Sequence, residues 1–330
     1  MVALASTLLL SACISADSPM NYLHPEGPRA IQADRLWDVT FAIAAVVFVL
    51  VEGGLIFILF KYREGRKGGN VDPKQLHGHT KLELLWTAIP AVILTGIAFM
   101  TVPVIFDQAR TPEDALEVEV IGHQWWWEYK YDNGVVTANE LHIPVDQPVR
   151  LTLKSGDVIH SYWIPKLAGK QDVVPGRVNH MVIEATEPGT YLGQCAEYCG
   201  LSHANMRARA IAHEQADFDA WVQEQLADSA NEGSAAEGKE LFLTGKFAGD
   251  QACVSCHAVK GTEAAGIIGP NLTHLASRDR FAGEMFELNE ENLKLWLKDP
   301  PERKPGSLMP DLGLTDDQID DLTAYLLSLE

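Results

Sequence analysis

The five cysteines of this 330-residue chain form two close pairs and a singleton, which favours metal or cofactor chemistry over a disulfide framework. The first pair, Cys195 and Cys199, is followed by His203 and Met206 within twelve residues. Two thiolates, an imidazole and a thioether make a soft ligand set, which prefers copper to hard cations. One more histidine is needed from elsewhere, and His160, which we place at the end of an earlier predicted strand, is the first candidate.

The same residues also allow a zinc site. A closed tetrahedral Cys2His2 site could be built from the two cysteines, His203 and His160. Met206 favours copper instead, because a thioether is a familiar weak axial ligand of copper and has little use to zinc. Two thiolates spaced this closely could also bridge two metal ions. The weaker candidates for the second imidazole are His123, His142 and His180.

The second cysteine pair stands in Cys253-Val-Ser-Cys256-His257, the attachment signature of a c-type haem. Its spacing lets two thiols form thioethers with one porphyrin while the adjacent imidazole binds the iron. A thioredoxin-like redox pair is the alternative, but it belongs in a βαβ context, and no such alternation surrounds this motif. Met309, in a Pro/Gly loop, is the predicted second axial ligand and would raise the haem potential. A helix is predicted to begin just after this loop, capped by Thr315 with Gln318 three residues later. Met285 is followed by apolar residues and is better interpreted as core.

Two long apolar runs, residues 37–60 and 84–106, are each long enough to cross a hydrocarbon layer of ~30 Å. They predict a transmembrane hairpin over residues 37–106. The connecting segment carries six basic residues, and short basic loops stay on the cytoplasmic side. Both chain ends, including the segment 14–36, are then expected on the extracytoplasmic side of a bacterial plasma (inner) membrane.

Residues 1–13 resemble a bacterial lipoprotein signal peptide that ends in a Leu-Ser-Ala-Cys box. In that interpretation Cys13 becomes the lipidated first residue of the mature protein. The basic segment that normally opens such a signal is missing. A plain exposed or buried thiol is the alternative role of Cys13.

Beyond the membrane hairpin, the chain reads as two folded parts. Residues 107–227 contain short alternating runs separated by Asn-Gly, Pro and Gly, which predict a β-sandwich or Greek-key barrel closed by a helix near 214–227. The predicted strands are LEVEVIG, WWWEYKY, NELHI, VRLTLKS, HMVIEA, TYLGQC and MRARAIA. A linker over 228–236 follows. Residues 237–330 predict a compact all-α unit, with helices near 235–246, 289–298 and 315–328.

The charge of the chain restricts its partners. With 26 basic and 45 acidic residues the formal charge is −19, which argues against nucleic-acid binding, because that needs a basic face. From Ser229 onward, 9 basic and 18 acidic residues leave a net −9. This acidic surface could steer a basic donor protein, or it could merely keep the domain soluble. No open coordination position, general base or nucleophile constellation is visible near the cysteine loop, so we expect electron transfer rather than substrate chemistry.

The cysteine loop, with His160 upstream and a two-span hairpin before it, resembles subunit II of the haem-copper cytochrome c oxidases over residues 37 to about 225. The motif Cys-x-Glu-x-Cys-Gly-x-x-His-x-x-Met is highly specific. With the C-terminal haem motif, the resemblance is to the caa-type oxidases, in which a cytochrome c is fused to the copper-bearing chain. It implies a cupredoxin-like β-sandwich over 107–227 and a class I cytochrome c domain over 237–330.

This resemblance implies a ligand set for a binuclear copper centre, CuA. Cys195 and Cys199 would both bridge the two coppers. His160 would bind one copper and His203 the other. The weak ligands would be Met206 and the backbone carbonyl of Glu197. In the family the side chain of that glutamate reaches a magnesium site shared with the catalytic subunit.

The resemblance also assigns roles outside the loop. Trp125, the first tryptophan of the run Trp125-Trp126-Trp127, corresponds to the residue through which electrons enter; core packing is its alternative, and we prefer packing for the other two. Glu83, at the cytoplasmic mouth of the second span, matches the entrance of one proton pathway into the catalytic subunit. A merely solvated acid is the alternative there.

These features predict the electron-transfer subunit of a respiratory terminal oxidase. An upstream donor, a cytochrome c or a bc1-type complex, would reduce one covalently bound haem c, which would reduce CuA. Subunit I, accompanied by subunit III, would then reduce oxygen. A CuA-type nitric oxide reductase subunit and a membrane-anchored metal-binding or metallochaperone module remain alternatives. The quinol-oxidase branch is disfavoured, because its copper ligands are lost and here the set is complete.

Overall fold

The structure, a computed structural model, describes residues 18–63, 75, 77–229 and 235–330. These residues divide into two compact units, of which one contains Ile31–Arg110 and the other contains the rest. Cys13 lies outside the described residues, so its lipidation stays a prediction. Most of the basic segment between the two predicted spans lies outside them as well.

The smaller unit consists of two long apolar helices. Helix α1 comprises Pro28–Lys61 and helix α2 comprises Thr80–Ala109, and both predicted spans lie inside them. Thirty helical residues extend about 45 Å, more than a hydrocarbon core requires. The most apolar stretches, with mean hydropathies of 2.7 and 2.2, have no buried residues, as expected for side chains that face lipid. Pro90 and Pro103 lie inside α2, which membrane helices tolerate.

The ends of the two helices are joined by polar side chains. Gln32, near the start of α1, donates to Asp107 at 2.5 Å and accepts from Gln108 at 3.1 Å, both near the end of α2. The helices therefore run antiparallel. In the larger unit, the backbone N–H of Glu26, just before α1, donates to the carbonyl of Lys166 at 2.8 Å. Residues before the first helix and residues after the second therefore belong to one compact unit.

The region after the helices folds as a sandwich of two five-stranded sheets. Their orders are β3-β2-β1-β5-β8 and β4-β10-β9-β6-β7. Strands pair antiparallel except at β1·β5 and β4·β10, which are parallel. Apolar side chains alternate inward on both sheets and form one core. The strands are β1 Leu116–His123, β2 Trp126–Tyr131, β3 Val136–Ala138, β4 Glu140–Pro144, β5 Val149–Ser155, β6 His160–Trp163, β7 Gln171–Val173, β8 Asn179–Ile183, β9 Gly189–Cys195 and β10 Arg207–His213.

This sandwich confirms the predicted fold class and corrects one detail. His160 does not end an earlier strand; it opens β6, a strand of only four residues. The preceding strand stops at Ser155, because the Ser155 hydroxyl bonds the Val158 carbonyl and accepts from the Asp157 N–H, which turns the chain. β3, β6 and β7 were missed, since runs of three or four residues carry too little alternation to register.

The C-terminal region is mainly helical, as predicted. Helix α3 (Gln215–Leu226) closes the sandwich through buried Phe218 and Val222. Four α-helices follow among the residues described after Leu226, and the last begins with the capping box of Thr315 and Gln318 that the sequence indicates. A two-residue ladder, β11 with β12, is an addition to the expected all-α unit. The elements are α4 Ala236–Thr244, β11 Arg280–Phe281, β12 Phe286–Glu287, α5 Glu290–Lys298, α6 Pro300–Arg303 and α7 Asp316–Leu326.

Candidate functional site

The cysteine loop is closed by the pairing of its two flanking strands. β9 ends at Cys195 and β10 begins at Arg207, and the N–H of Cys195 donates to the carbonyl of Met206 at 2.8 Å. Within the loop the sulfurs of Cys195 and Cys199 are 3.8 Å apart. That separation is far beyond the ~2.05 Å of a disulfide, and two metal–sulfur bonds of ~2.3 Å each span it, so both sulfurs can reach one ion.

The other predicted copper ligands surround this sulfur pair. His160 Nδ1 is 4.0 Å from Cys195 Sγ, and His203 Nδ1 is 3.6 Å from Cys199 Sγ. Met206 Sδ is 3.9 Å from Cys199 Sγ, and the Glu197 carbonyl is 3.2 Å from Cys195 Sγ. All six residues proposed from the motif thus converge. His160, which is 35 residues from Cys195 in the chain, is brought in by the pairing of β6 with β9.

The surroundings shift the pKa values of His160 and of both cysteines. Burial opposes protonation of His160, but the 2.7 Å hydrogen bond between its Nε2 and Asp157 Oδ1 raises the imidazole pKa overall. That bond leaves Nδ1 directed at Cys195. The hydrogen bond from Cys199 lowers the pKa of Cys195, and the same contact raises the pKa of Cys199. The lowered pKa favours the thiolate form of Cys195, which is the form that binds metals, and His160 and both cysteines are buried.

The carboxylate behind His160 is the residue that sequence reasoning missed. Asp157 accepts from the Gln124 N–H through Oδ2 at 2.6 Å while its Oδ1 holds the imidazole. Burial raises its pKa, but the hydrogen bonds outweigh burial and lower it overall, so the carboxylate is charged. Carboxylates behind metal-binding histidines orient the ring. The available signal was an acid three residues before the candidate histidine.

We expect the Asp157→Asn variant to hold copper less tightly, because the amide supports the His160 ring less well than a carboxylate. Loss of such a partner typically costs about 10- to 100-fold in metal affinity. The measurement is the rate of copper release to a chelator. Asp172→Asn, an exposed aspartate on the neighbouring β7, is the matched control and should release copper as the wild type does. Equal release from both variants would remove Asp157 from the site.

The weaker histidine candidates lie elsewhere. His123 contacts Glu128 at 3.1 Å and stacks on Trp126. His142 pairs with His213 at 2.8 Å, and His180 contacts Thr152 at 3.2 Å. None of the three joins the sulfur cluster. Each of these rings has polar partners of its own away from the cysteine loop.

The three tryptophans have different environments. Trp125 is buried, and its Nε1 donates to the Cys199 carbonyl at 3.0 Å. Trp127 is fully buried in the core, with its ring edge-to-face against Tyr162. Trp126 stacks on His123. Only Trp125 is therefore bonded directly to the cysteine loop.

Two predicted roles belong to the carboxylates of Glu197 and Glu83. Glu197 contributes its carbonyl to the sulfur cluster, and its carboxylate accepts from the Tyr198 N–H at 3.2 Å. Glu83 lies in the first turn of α2, where its carboxylate accepts from the His79 N–H at 3.1 Å. A carboxylate at a helix N-terminus also interacts favourably with the helix dipole. This capping role is compatible with either interpretation of Glu83.

A cavity lies in the C-terminal domain, and all four predicted haem residues line it: Cys253, Cys256, His257 and Met309. The rest of its wall is mostly apolar. Helices α4, α5 and α7 contribute, for example, Phe242, Leu297 and Leu322, loops of the same domain contribute more, and the sandwich adds Gln124, Trp125, Trp126 and Asn139. Met285, the rejected alternative, does not line the cavity. An apolar pocket lined by two cysteine thiols fits a porphyrin, a flat and mostly apolar ring that two thioether bonds would hold.

The His257 side chain is oriented to bind an iron. Its Nδ1 donates to the Pro270 carbonyl at 2.8 Å, which leaves Nε2 as the acceptor atom. Burial lowers the pKa of His257 and so keeps the ring neutral. Gly269 allows the loop to approach this closely, since a Cβ there would lie 2.6 Å from the ring. The residues present therefore fit a haem.

The fold and the two sites define a class: a membrane-anchored protein that carries a sulfur-rich metal domain and a haem domain. Three family models match the chain. They are the transmembrane domain of cytochrome c oxidase subunit II over residues 19–104, the periplasmic domain of that subunit over 135–212, and cytochrome c over 235–330.

Full-length relatives agree with these matches. Cytochrome c oxidase subunit 2 of Alkalihalophilus pseudofirmus is 38% identical, with 98% of this chain and 94% of the relative covered. The subunit of that name from Bacillus subtilis is 35% identical, covering 98% and 95%. Quinol oxidase subunit 2 of Bacillus spizizenii is 32% identical but covers 67% of this chain and 70% of its own. The chain belongs to the cytochrome c oxidase subunit II family and carries a cytochrome c domain.

Membership confirms the sequence-based identification and the class of activity. The chain is a component of an oxidoreductase complex and works together with subunit I of a haem-copper oxidase. Its subunit II domain implies copper and its cytochrome c domain implies haem. Its two apolar helices anchor it to a membrane.

Proposed function

We propose that this chain takes electrons from an upstream donor at haem c and passes them through Trp125 to a binuclear CuA centre. From there they go to the subunit I that reduces oxygen to water. The observation that carries the proposal is the position of Trp125. Its indole N–H donates to the carbonyl of Cys199, and the same residue lines the cavity that contains His257 and Met309. One side chain thus contacts both candidate redox sites.

In this proposal the cysteine loop holds two coppers. Cys195 and Cys199 would be the ligands shared by both ions, His160 and His203 would each hold one ion, and Met206 and the Glu197 carbonyl would be weak ligands. When bound, the copper pair supplies a reversible one-electron change. Met206 lies 3.9 Å from Cys199 Sγ and is fully buried, which supports copper over zinc, because a closed tetrahedral zinc site would not need it.

The contacts around the loop suit electron transfer. The strand pairing, the Asp157 hydrogen bond and the two bonds to the Cys199 carbonyl, from Gln124 at 2.7 Å and Trp125 at 3.0 Å, hold the ligands in position. Ligands that are held rigidly rearrange little when the charge of the metal changes. The burial of both cysteines argues against a metallochaperone, which must release its metal.

In the haem domain, Cys253 and Cys256 would form the thioethers, and His257 and Met309 would be the axial ligands. When bound, the haem supplies the one-electron carrier that receives electrons from a cytochrome c or a bc1-type complex. The chain's own contribution is the apolar wall that excludes water and the Pro270 carbonyl that orients His257. Oxygen, rather than nitric oxide, is the proposed final acceptor because the full-length relatives are named cytochrome c oxidase subunits.

We further propose that the chain lies in the bacterial plasma membrane with both termini and both redox domains outside the cytoplasm. The contact of Glu26 with Lys166 supports this, since residues before the first span and after the second meet on one side. Subunit III is a proposed further partner. We propose that the Glu197 side chain shares a magnesium site with subunit I and that Glu83 lies at the entrance of a proton pathway into subunit I. Cys13 would carry a lipid.

The decisive experiment is rapid photoreduction of the haem in the purified oxidase complex, followed at the absorption bands of haem and copper. We expect the haem to reoxidise as the copper is reduced, before turnover of subunit I. Zinc or no metal at the cysteine loop, or copper that stays oxidised after the haem is reduced, would overturn the proposal. Replacing oxygen by nitric oxide as acceptor distinguishes an oxidase from a nitric oxide reductase.

A Trp125→Phe variant should slow this haem-to-copper step by about tenfold or more, equivalent to a barrier increase of about 1.4 kcal/mol. The reason is loss of the Nε1 bond to Cys199 and of ring area between the two sites. Transient absorption measures the step. The control is Trp221→Phe, a tryptophan on α3 that stacks on His142 and does not line the cavity. Equal rates in the two variants would assign Trp125 to packing alone.

A further inference from the structure

The haem domain contacts the sandwich through two loops, residues 279–284 and 304–307, which we term the docking loops. Ser202 Oγ donates to the Pro305 carbonyl at 2.7 Å, and the Arg207 N–H donates to the Gly283 carbonyl at 3.2 Å. Arg209 on β10 forms ion pairs with Asp279 at 3.2 Å and Glu284 at 2.5 Å. Most of these partners lie on or beside the cysteine loop, so the haem domain rests against the predicted copper site.

At the centre of this contact is a buried lysine. Lys304 is 4% exposed, and its Nζ donates to the Trp125 carbonyl at 2.6 Å and to the Ala282 carbonyl at 2.8 Å. One acceptor belongs to each domain. Burial lowers the pKa of Lys304 to about 7, because the buried amine loses the water that would stabilise its charged form. A side chain that is so costly to bury is retained only where its hydrogen bonds are made.

Two glycines bring the docking loops into backbone contact with Trp125. Gly306 has φ +81°, and a Cβ on it would lie 2.6 Å from the Trp125 ring. Gly283 has φ +75°, and a Cβ on it would lie 2.8 Å from the Trp125 carbonyl. Trp125 is thus enclosed by Lys304 at its carbonyl and by Gly306 at its ring. Gly306 stands three residues before Met309 in the same loop.

We propose that Lys304 is a positioning residue that locks the haem domain onto Trp125, so that haem-to-copper transfer occurs within one preformed contact. The inference rests on the proposed electron path and adds the device that maintains its geometry. Lys304 belongs to the loop that carries the predicted axial ligand Met309, and its hydrogen bond attaches that loop to Trp125. The indole of Trp125 in turn donates to the Cys199 carbonyl. Because the hydrogen bonds of Lys304 and the Arg209–Glu284 pair are buried, salt screens the contact little.

The test uses the full-length chain in the purified complex, with Lys304→Met, which keeps the apolar stem but removes the donor. Losing both hydrogen bonds leaves the carbonyls of Trp125 and Ala282 without this donor, which weakens docking by about tenfold to a hundredfold. Amide exchange at Arg207, whose N–H reaches across to Gly283, should lose protection by that factor. Haem-to-copper transfer should slow by about tenfold or more, with haem and copper spectra unchanged. Lys298→Met, an exposed lysine at the end of α5, is the control and should change neither.

If Lys304→Met keeps the amide protection at Arg207 and an unchanged rate of haem-to-copper transfer, Lys304 does not hold the two domains together and the proposal is overturned. Lost protection with an unchanged rate would overturn its role in positioning. If the wild type itself passes no electrons from haem to copper, the proposed function fails, while Arg207 exchange still decides whether Lys304 holds the domains together.

A second pair of variants decides the matter if Lys304→Met does not fold. Gly306→Ala and Gly313→Ala both place alanine at positive φ, +81° and +61°. Only the first inserts a methyl group into Trp125; at Gly313 the nearest atom is 3.8 Å away. Gly306→Ala alone should lose Arg207 protection and slow electron transfer by about tenfold. Equal effects of the two changes would overturn the proposal.

Discussion

Replacing Cys199 by serine is expected to abolish the copper signal and to reduce oxidase turnover to background while leaving haem c intact. The Cys199 sulfur connects three of the predicted ligands: it is 3.8 Å from Cys195, 3.6 Å from His203 and 3.9 Å from Met206. A hydroxyl is a poor ligand for a soft metal and cannot bridge a copper pair. The measurement is the electron paramagnetic resonance spectrum of the purified complex together with its oxygen consumption.

The haem absorption of the same sample is the internal control for the Cys199→Ser variant. Cys253, Cys256 and His257 belong to a separate cavity and a separate apolar core, so this spectrum should not change. An unaltered copper spectrum would refute the assignment of Cys199 as a ligand. Loss of both signals together would mean that the variant fails to fold and would direct the test to Cys195→Ser.

The second large effect is expected for Met309→Ala. Met309 is the described methionine that lines the haem cavity, and removal of its thioether takes away the second axial ligand that we assign to it. The haem should become high-spin or take another ligand, and its potential should fall, because a His/Met pair raises the potential of a c-type haem. Electron flow to copper should then slow strongly. Absorption spectroscopy and redox titration measure the two changes.

Met285→Ala is the matched control for the axial ligand. Met285 lies only 24 positions before Met309 in the same domain, but it does not line the cavity. Met285 is half-buried and is not part of the apolar core of the described domain, so the variant should keep the low-spin spectrum at little cost in stability. A low-spin spectrum in Met309→Ala combined with a high-spin spectrum in Met285→Ala would reverse the two roles.

Much of the fold was predictable because its signals are local. Apolar runs of more than twenty residues predicted the two long helices, and the capping box at Thr315 correctly marked the start of α7. Strands with clear alternation, such as β1 and β5, were also found. β3, β6 and β7 were missed because each has three or four residues and depends on pairing with a neighbour, which the sequence does not reveal.

In the candidate site, too, the residues close together in the chain were predictable, whereas those brought in by the fold were not. Cys195, Cys199, His203 and Met206 stand within one loop, so their spacing alone indicated a soft metal site. Asp157 escaped notice because its carboxylate gains meaning only when the imidazole three residues later is turned toward a sulfur. The correction at His160 has the same origin: whether a residue ends one strand or opens the next depends on its partner strand.

The sequence by itself determined the chemical types in this protein: two membrane helices, a soft ligand loop and a haem attachment motif, each written in residues close together in the chain. The tertiary structure decided which distant groups join them. His160 is 35 residues from the thiol that it faces, and Lys304 is 179 residues from the Trp125 carbonyl that it binds. Local spacing carries no information about such pairs, because they are selected by strand pairing and domain packing, whose free energy is spread over the whole core.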